Sequence, residues 1–126
     1  MVPLQVFPKE AVTGSGFGPA VALGEAIAKP LQLQLTITRM MERQTLDIFV
    51  WGSIDGNVWG VRPILTLPHR YYCGSYCHLL DLSEFPSIRY MRVEYKIQDW
   101  GHSSSHTVSA FELTAEAAHE LVLAAH

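Results

Sequence analysis

Charge is scarce in this chain. Asp, Glu, Lys and Arg make up 17% of its 126 residues, and the nine Lys and Arg form no basic run. Neutralising phosphates takes a clustered basic face, so no nucleic-acid partner is expected. Long apolar runs are missing too. No window approaches the roughly 20 apolar residues of a membrane span, so no span is expected. The opening Met1–Glu10 has no basic region followed by a long apolar one, so no secretory signal is expected. The expected location is cytoplasmic or particle-associated. Cysteine is limited to Cys73 and Cys77, which cannot make a disulfide framework. Reduced thiols are the default.

Apolar material is plentiful. Hydrophobic residues make up 48% of the chain, enough for a core, and the length fits one domain. A surface with so little charge is expected to be covered in part by another subunit.

Alternation is the clearest pattern. Leu31, Leu33, Leu35 and Ile37 alternate with Gln32, Gln34, Thr36 and Thr38, as in a strand with one face on a core. Leu46, Ile48 and Val50 begin a second strand, whose other face carries Asp47, Phe49 and Trp51. Asp55-Gly56 reads as the turn of a hairpin, because Gly tolerates positive φ. Val61–Leu67 reads as an edge or bulged strand around Pro63. Further strands are expected at Tyr76–Leu82, at Arg89–Gln98, where Met91, Val93, Tyr95 and Ile97 share a face, and at Thr107–Leu113. Residues 11–30, rich in Gly, Ala and Pro, read as a loop with a short extended piece at Val21–Leu23. No helical crossover separates the strands, so pairing is expected to be antiparallel. The fold expected is an all-β, jelly-roll-like antiparallel β-sandwich over residues 1–113. Residues 114–126 read as a short C-terminal helix capped by Thr114, with Leu121 and Val122 on an apolar stripe that must dock on its own domain or on a partner, or else fray.

Two segments carry a resemblance. Leu46-Asp-Ile-Phe-Val-Trp-Gly-Ser-Ile-Asp-Gly-Asn-Val-Trp59 and Ile88-Arg-Tyr-Met-Arg-Val-Glu-Tyr95 resemble the discoidin-type (factor 5/8 C-like) modules of the galactose-binding-like sandwich group. Small sandwich proteins of phage-type particles contain similar pairs. The resemblance covers about a third of the chain and implies a sandwich in which Asp55-Gly56 makes a turn and Trp59 caps the core. The chain lacks the disulfide-linked ends of secreted discoidin domains and a matching ligand loop, so a sugar or lipid ligand is not implied.

Several constellations have residue types that could carry chemistry. Cys73 and Cys77, with His102 and His106, have spacings that four ligands of a tetrahedral Zn²⁺ could use. In an extended chain, however, positions four apart sit about 13 Å from each other, so zinc needs a turn at Gly74-Ser75. Cys73-Gly-Ser-Tyr-Cys-His78 is one residue too long for a haem-attachment motif. A Cys73–Cys77 disulfide needs the same tight turn as zinc. The favoured reading is that both thiols pack as small hydrophobes in or beside a strand, with no cofactor. No nucleophile elbow and no carboxylate pair stands out, and Gly14–Gly18 lacks the Lys-Ser/Thr of a phosphate loop. Trp51, Trp59, Tyr71, Tyr72, Tyr76 and Trp100 read first as core or subunit interface, and second as a sugar-stacking platform. The leading expectation is a non-enzymatic module acting by association, a structural subunit whose partner is itself or another protein. The alternatives are a carbohydrate-binding module and a metal-binding domain on the Cys/His cluster.

Overall fold

The computed structural model describes residues 4–13, 15–40, 44–70, 72–99 and 108–117. Among these, nine strands run β1 (Leu4–Thr13), β2 (Gly16–Phe17), β3 (Val21–Ala22), β4 (Pro30–Met40), β5 (Gln44–Ser53), β6 (Leu65–Thr66), β7 (Gly74–Asp81), β8 (Tyr90–Asp99) and β9 (Val108–Ala117). Their pairings are all antiparallel.

Two sheets result. The first has the order β1-β9-β4-β7 and the second β2-β8-β5-β6, with β3 also on β8. With β2 and β3 taken as two pieces of one interrupted strand, each sheet has four strand positions. Two four-stranded antiparallel sheets wound in this way make a jelly roll.

Alternation explains the packing. Leu31, Leu33, Leu35 and Ile37 of β4 are buried, with Phe111, Leu113 and Ala115 of β9 beside them. Across the sandwich, Leu46, Ile48 and Val50 of β5 meet Met91, Val93 and Ile97 of β8 in the same core. Each such Leu or Ile contributes roughly 1.5–3 kcal/mol on burial. An aromatic cluster joins the layers: Phe7 stacks on Phe111 with centroids 4.5 Å apart, and Tyr95 meets both rings edge-on.

Several expectations need correction. Residues 11–30 hold the end of β1, then β2 and β3, and a 3-10 turn at Gly24–Ala26, rather than a loop with one extended piece. Only Leu65–Thr66 of the Val61–Leu67 segment is a strand, and Pro63 lies before it. Beyond β6 the chain still follows β5, since Leu67 N donates to Ile48 O, and Arg70 and Leu46 exchange backbone bonds. Asp55-Gly56 does turn the chain at the end of β5, and Gly56 has φ +83°. It does not make a tight hairpin, because β6 pairs with Phe49 and Val50 in the middle of β5. Thr114–Ala117 continue β9 instead of starting a helix, since Ala115 is needed in the core opposite Leu33. Leu121 and Val122 lie outside the described residues.

Candidate functional site

The outer faces of the two sheets differ in chemistry. The first is polar: Gln32, Gln34, Thr36 and Thr38 of β4 lie beside Glu112, Thr114 and Glu116 of β9. Gln5 Nε2 donates to Glu112 Oε2 at 2.9 Å across it. That is what a water-facing antiparallel sheet takes.

The outer face of the second sheet is aromatic and cationic. Trp51 lies opposite Arg92, Phe49 opposite Glu94 and Asp47 opposite Lys96, while Phe17 of β2 also pairs with Glu94. Residues paired across strands share a face, so these side chains form one surface. The Arg92 guanidinium sits 4.3 Å from the Phe17 ring centroid and 4.6 Å from that of Trp59, and Lys96 Nζ lies 5.2 Å over Phe49. Trp51 Nε1 donates to Glu94 Oε1 at 3.0 Å. Among the described residues Arg92 Nε is buried without a hydrogen-bond partner, and the guanidinium lies against the Phe17 and Trp59 rings. Asp47 is buried in this outer face beneath exposed His69, whose Nδ1 is its partner. Phe17 is 50% exposed, a large apolar ring presented to solvent.

The loop after β5 brings Trp59 to this surface. Ser53 Oγ accepts from Gly56 N at 2.8 Å, and Asp55 Oδ1 accepts from Asn57 N and Val58 N at 2.9 Å each. The Val58 and Asn57 amides and the Ser53 hydroxyl hold the Asp55 carboxyl below the usual carboxylate range. This fixed turn holds up Ile54, Val58 and Val61, exposed by 61, 70 and 94%. An open groove of about 430 Å³ runs between Gly52, Ile54, Val58, Gly60 and Ile88.

A third cluster closes one side of the sandwich. His78 and Tyr76 lie opposite Leu33 and Leu35, and so point inward from β7. Arg70 lies opposite core-facing Leu46 and points inward from the other sheet. Its guanidinium stacks 3.9 Å from the Tyr76 ring centroid, and Nη2 lies 3.1 Å from His78 Nε2. Arginine only donates, so His78 Nε2 must be unprotonated. Burial, and then the Arg70 charge, push the His78 imidazole below its ordinary value.

As pH falls through the ordinary imidazole range near about 6.5, the unfolded chain takes up this proton first. His78 therefore contributes full stability above that range and loses it below. The midpoint of thermal unfolding is expected to fall between pH 7.5 and pH 5 by more in the unmodified chain than in His78→Gln, whose amide oxygen still accepts from Arg70. Equal slopes would count against this role.

The residues singled out from sequence fall in different places. Trp51 and Trp59 share the aromatic face, and Trp59 lies half-buried beside Arg92 instead of capping the core. Tyr72 is 78% exposed, and its carbonyl accepts from Tyr76 Oη at 2.8 Å. Cys73 and Cys77 are free and exposed, which corrects the expectation that they pack as small hydrophobes. Cys77 lies within β7 and Cys73 one residue before it, so extended chain sets them roughly 13 Å apart. His102, His106, Tyr71 and Trp100 lie outside the described residues. Among the described residues no group of three or more His, Cys, Asp or Glu could hold a metal. Sequence reasoning passed over Phe17, Arg92, Lys96 and the Arg70–His78 pair. The alternation of Arg92, Glu94 and Lys96 was visible, but only pairing with β5 and β2 shows that aromatic rings lie against it.

No family model matches the chain, and no curated protein matches it. Solved structures do. One of the infectious bursal disease virus Gx strain matches with TM-score 0.61 and 7% identity over 90% of this chain. The VP2 subviral particle of that virus matches at 0.51 with 9% identity over 90% of the chain, and the T13 viral particle at 0.51 with 7% over 91%. The chain is similar in fold to proteins of viral particles. It spans 30% of the length of each of those chains. At such identity the likeness concerns the fold, and the particle-type half of the resemblance read from the two segments agrees with it.

Proposed function

We propose that the chain is a non-enzymatic jelly-roll module acting by association, as a structural subunit of a larger assembly, and that the outer face of its second sheet is the contact surface. The observation that carries this reading is the contrast between the two faces. One is Gln, Thr and Glu; the other presents Phe17, Phe49, Trp51 and Trp59 around Arg92 and Lys96. Aromatic residues and Arg are the types enriched where protein surfaces meet. The fold likeness to viral-particle proteins supports the same reading. A sugar-stacking platform is the less favoured use, because Arg92 already occupies the ring contact on Phe17 and Trp59.

Phe17→Ser with Phe49→Ser tests the surface. Losing the burial of one such ring weakens association by roughly tenfold or more. Sedimentation of the double variant is expected to show a smaller species than the unmodified chain, with the β-type circular dichroism retained. Unchanged mass in the variant, or an unmodified chain that stays monomeric at high concentration, would sink the proposal.

A further inference from the structure

The four edges of this sandwich are not equally protected. A sheet edge offers unpaired N–H and C=O groups to any passing strand, and proteins blunt edges with Pro, Lys, bulges or brevity. β6 is two residues long and stands between Pro63 and Pro68. β2 and β3 are two residues each, separated by Gly18-Pro19-Ala20. β1 contains Pro8, and its register on β9 shifts between Gln5 and Phe7 and again between Phe7 and Glu10. β7 has none of these devices. It is eight residues long, has no Pro, Lys or Arg, and carries one acidic residue, Asp81, at its end. It ends the sheet order, and among the described residues β4 alone pairs with it, continuously from Pro30 to Ile37.

We infer that β7 is a second assembly contact, pairing antiparallel with β7 of a second copy about a two-fold axis at Cys77, so that the two first sheets become one continuous sheet. This rests on the association reading above and concerns a different surface. Orientation and register follow from the strand itself. Parallel pairing in register would set Asp81 beside its own copy, and antiparallel pairing sends it to the Cys73 end of the other strand. Residues that meet must share a face, so the axis falls on a residue and not between two. Centring on Cys77 places two small exposed thiols at the axis on the outer face, with Ser75 opposite Leu79 and, on the inner face, Tyr76 opposite His78 of the second copy. A self-complementary edge of this kind fits a closed two-fold contact.

The register makes a covalent readout available. Opposed residues in antiparallel strands have Cα atoms about 4.5–5.5 Å apart, within the roughly 4.4–6.8 Å that a disulfide spans. In the Cys73→Ser chain, Cys77 is the remaining thiol. Oxidised glutathione would take up the two electrons and two protons as the Cys77 pair bridges, and a dimer of twice the 14.1 kDa chain is expected on non-reducing gels. Cys77→Lys opposes two cations at the axis while leaving an exposed position exposed. It is expected to weaken association at least tenfold by sedimentation, whereas Cys77→Ser leaves it unchanged. Absence of the covalent dimer, or a Cys77→Lys chain that associates as the unmodified one does, overturns the inference; the second result is also what a foreign strand or the chain's own tail on this edge would give. The Phe17 and Phe49 variants report on the other face, so failure of the edge and failure of the association reading are told apart.

Discussion

Phe111→Ala is expected to destabilise the fold by about 3–5 kcal/mol. The ring is fully buried and stacks on Phe7 with planes 12° apart, while Tyr95 meets it edge-on with centroids 5.8 Å apart. Phe111 sits in β9 between Ile37 of β4 and Glu10 of β1, near the middle of the first sheet. Strands on both sides hold the backbone in place, so the space left by the ring closes only in part. Transfer and cavity terms therefore both apply. Urea unfolding measures the loss directly, and the midpoint of thermal unfolding should fall by roughly 10–20 °C for a domain of this size. A loss below about 1 kcal/mol would mean that the cluster repacks freely, contrary to its stacked geometry.

Gly18→Ala is expected to cost about 1–3 kcal/mol by overpacking. A Cβ at Gly18 would lie 2.6 Å from Phe7 Cδ1 and 2.9 Å from Cε1. The ring is not free to yield, because Phe111 and Tyr95 hold it from two sides. The backbone is not free either, since Gly18 N donates to Val93 O at 2.7 Å. The two substitutions should therefore couple. Removing Phe111 gives Phe7 room to move, so the cost of Gly18→Ala should shrink in the Phe111→Ala background. A double-mutant cycle reads that coupling, and strict additivity would show that the Phe7 ring gives way by another route.

These two sites also show what the sequence makes legible. The strands with clean period-two alternation, β4 and β8, can be read directly, and their burial follows the reading, whereas β5 buries Thr45 and Asp47 beside Leu46 and Ile48. β1 cannot, because its pattern is broken where Val6 and Phe7 are both buried and the register slips. Thr114–Ala117 read as helix by local propensity, yet they are strand, since the β1 and β4 ladders on either side supply the partners that decide the matter. The aromatic face was half visible. Phe49 and Trp51 alternate with the core residues of β5, but Phe17 and Trp59 reach Arg92 from far along the chain, and periodicity says nothing about such meetings. The Cys73–Cys77 spacing matches ligand patterns. An extended strand separates what a helix or a turn would bring together.

β9 lies between β1 and β4, and both of its neighbours come before it in the chain. The first sheet therefore cannot close during synthesis until Val108–Ala117 have left the ribosome. Until then β1 and β4 have a gap between them, and Leu31, Leu33 and Leu35 lack the Phe111 and Leu113 that cover their flank. Closing that gap pairs Leu4 with Ala115, residues from nearly opposite ends of the described chain. Loop-closure entropy is spent before such pairs gain anything, so the fold belongs among the slow formers, with milliseconds to seconds as the expected scale. During that interval the nascent chain also exposes the β4 flank of its paired β4 and β7 strands, and it would need shielding from its neighbours on the same message.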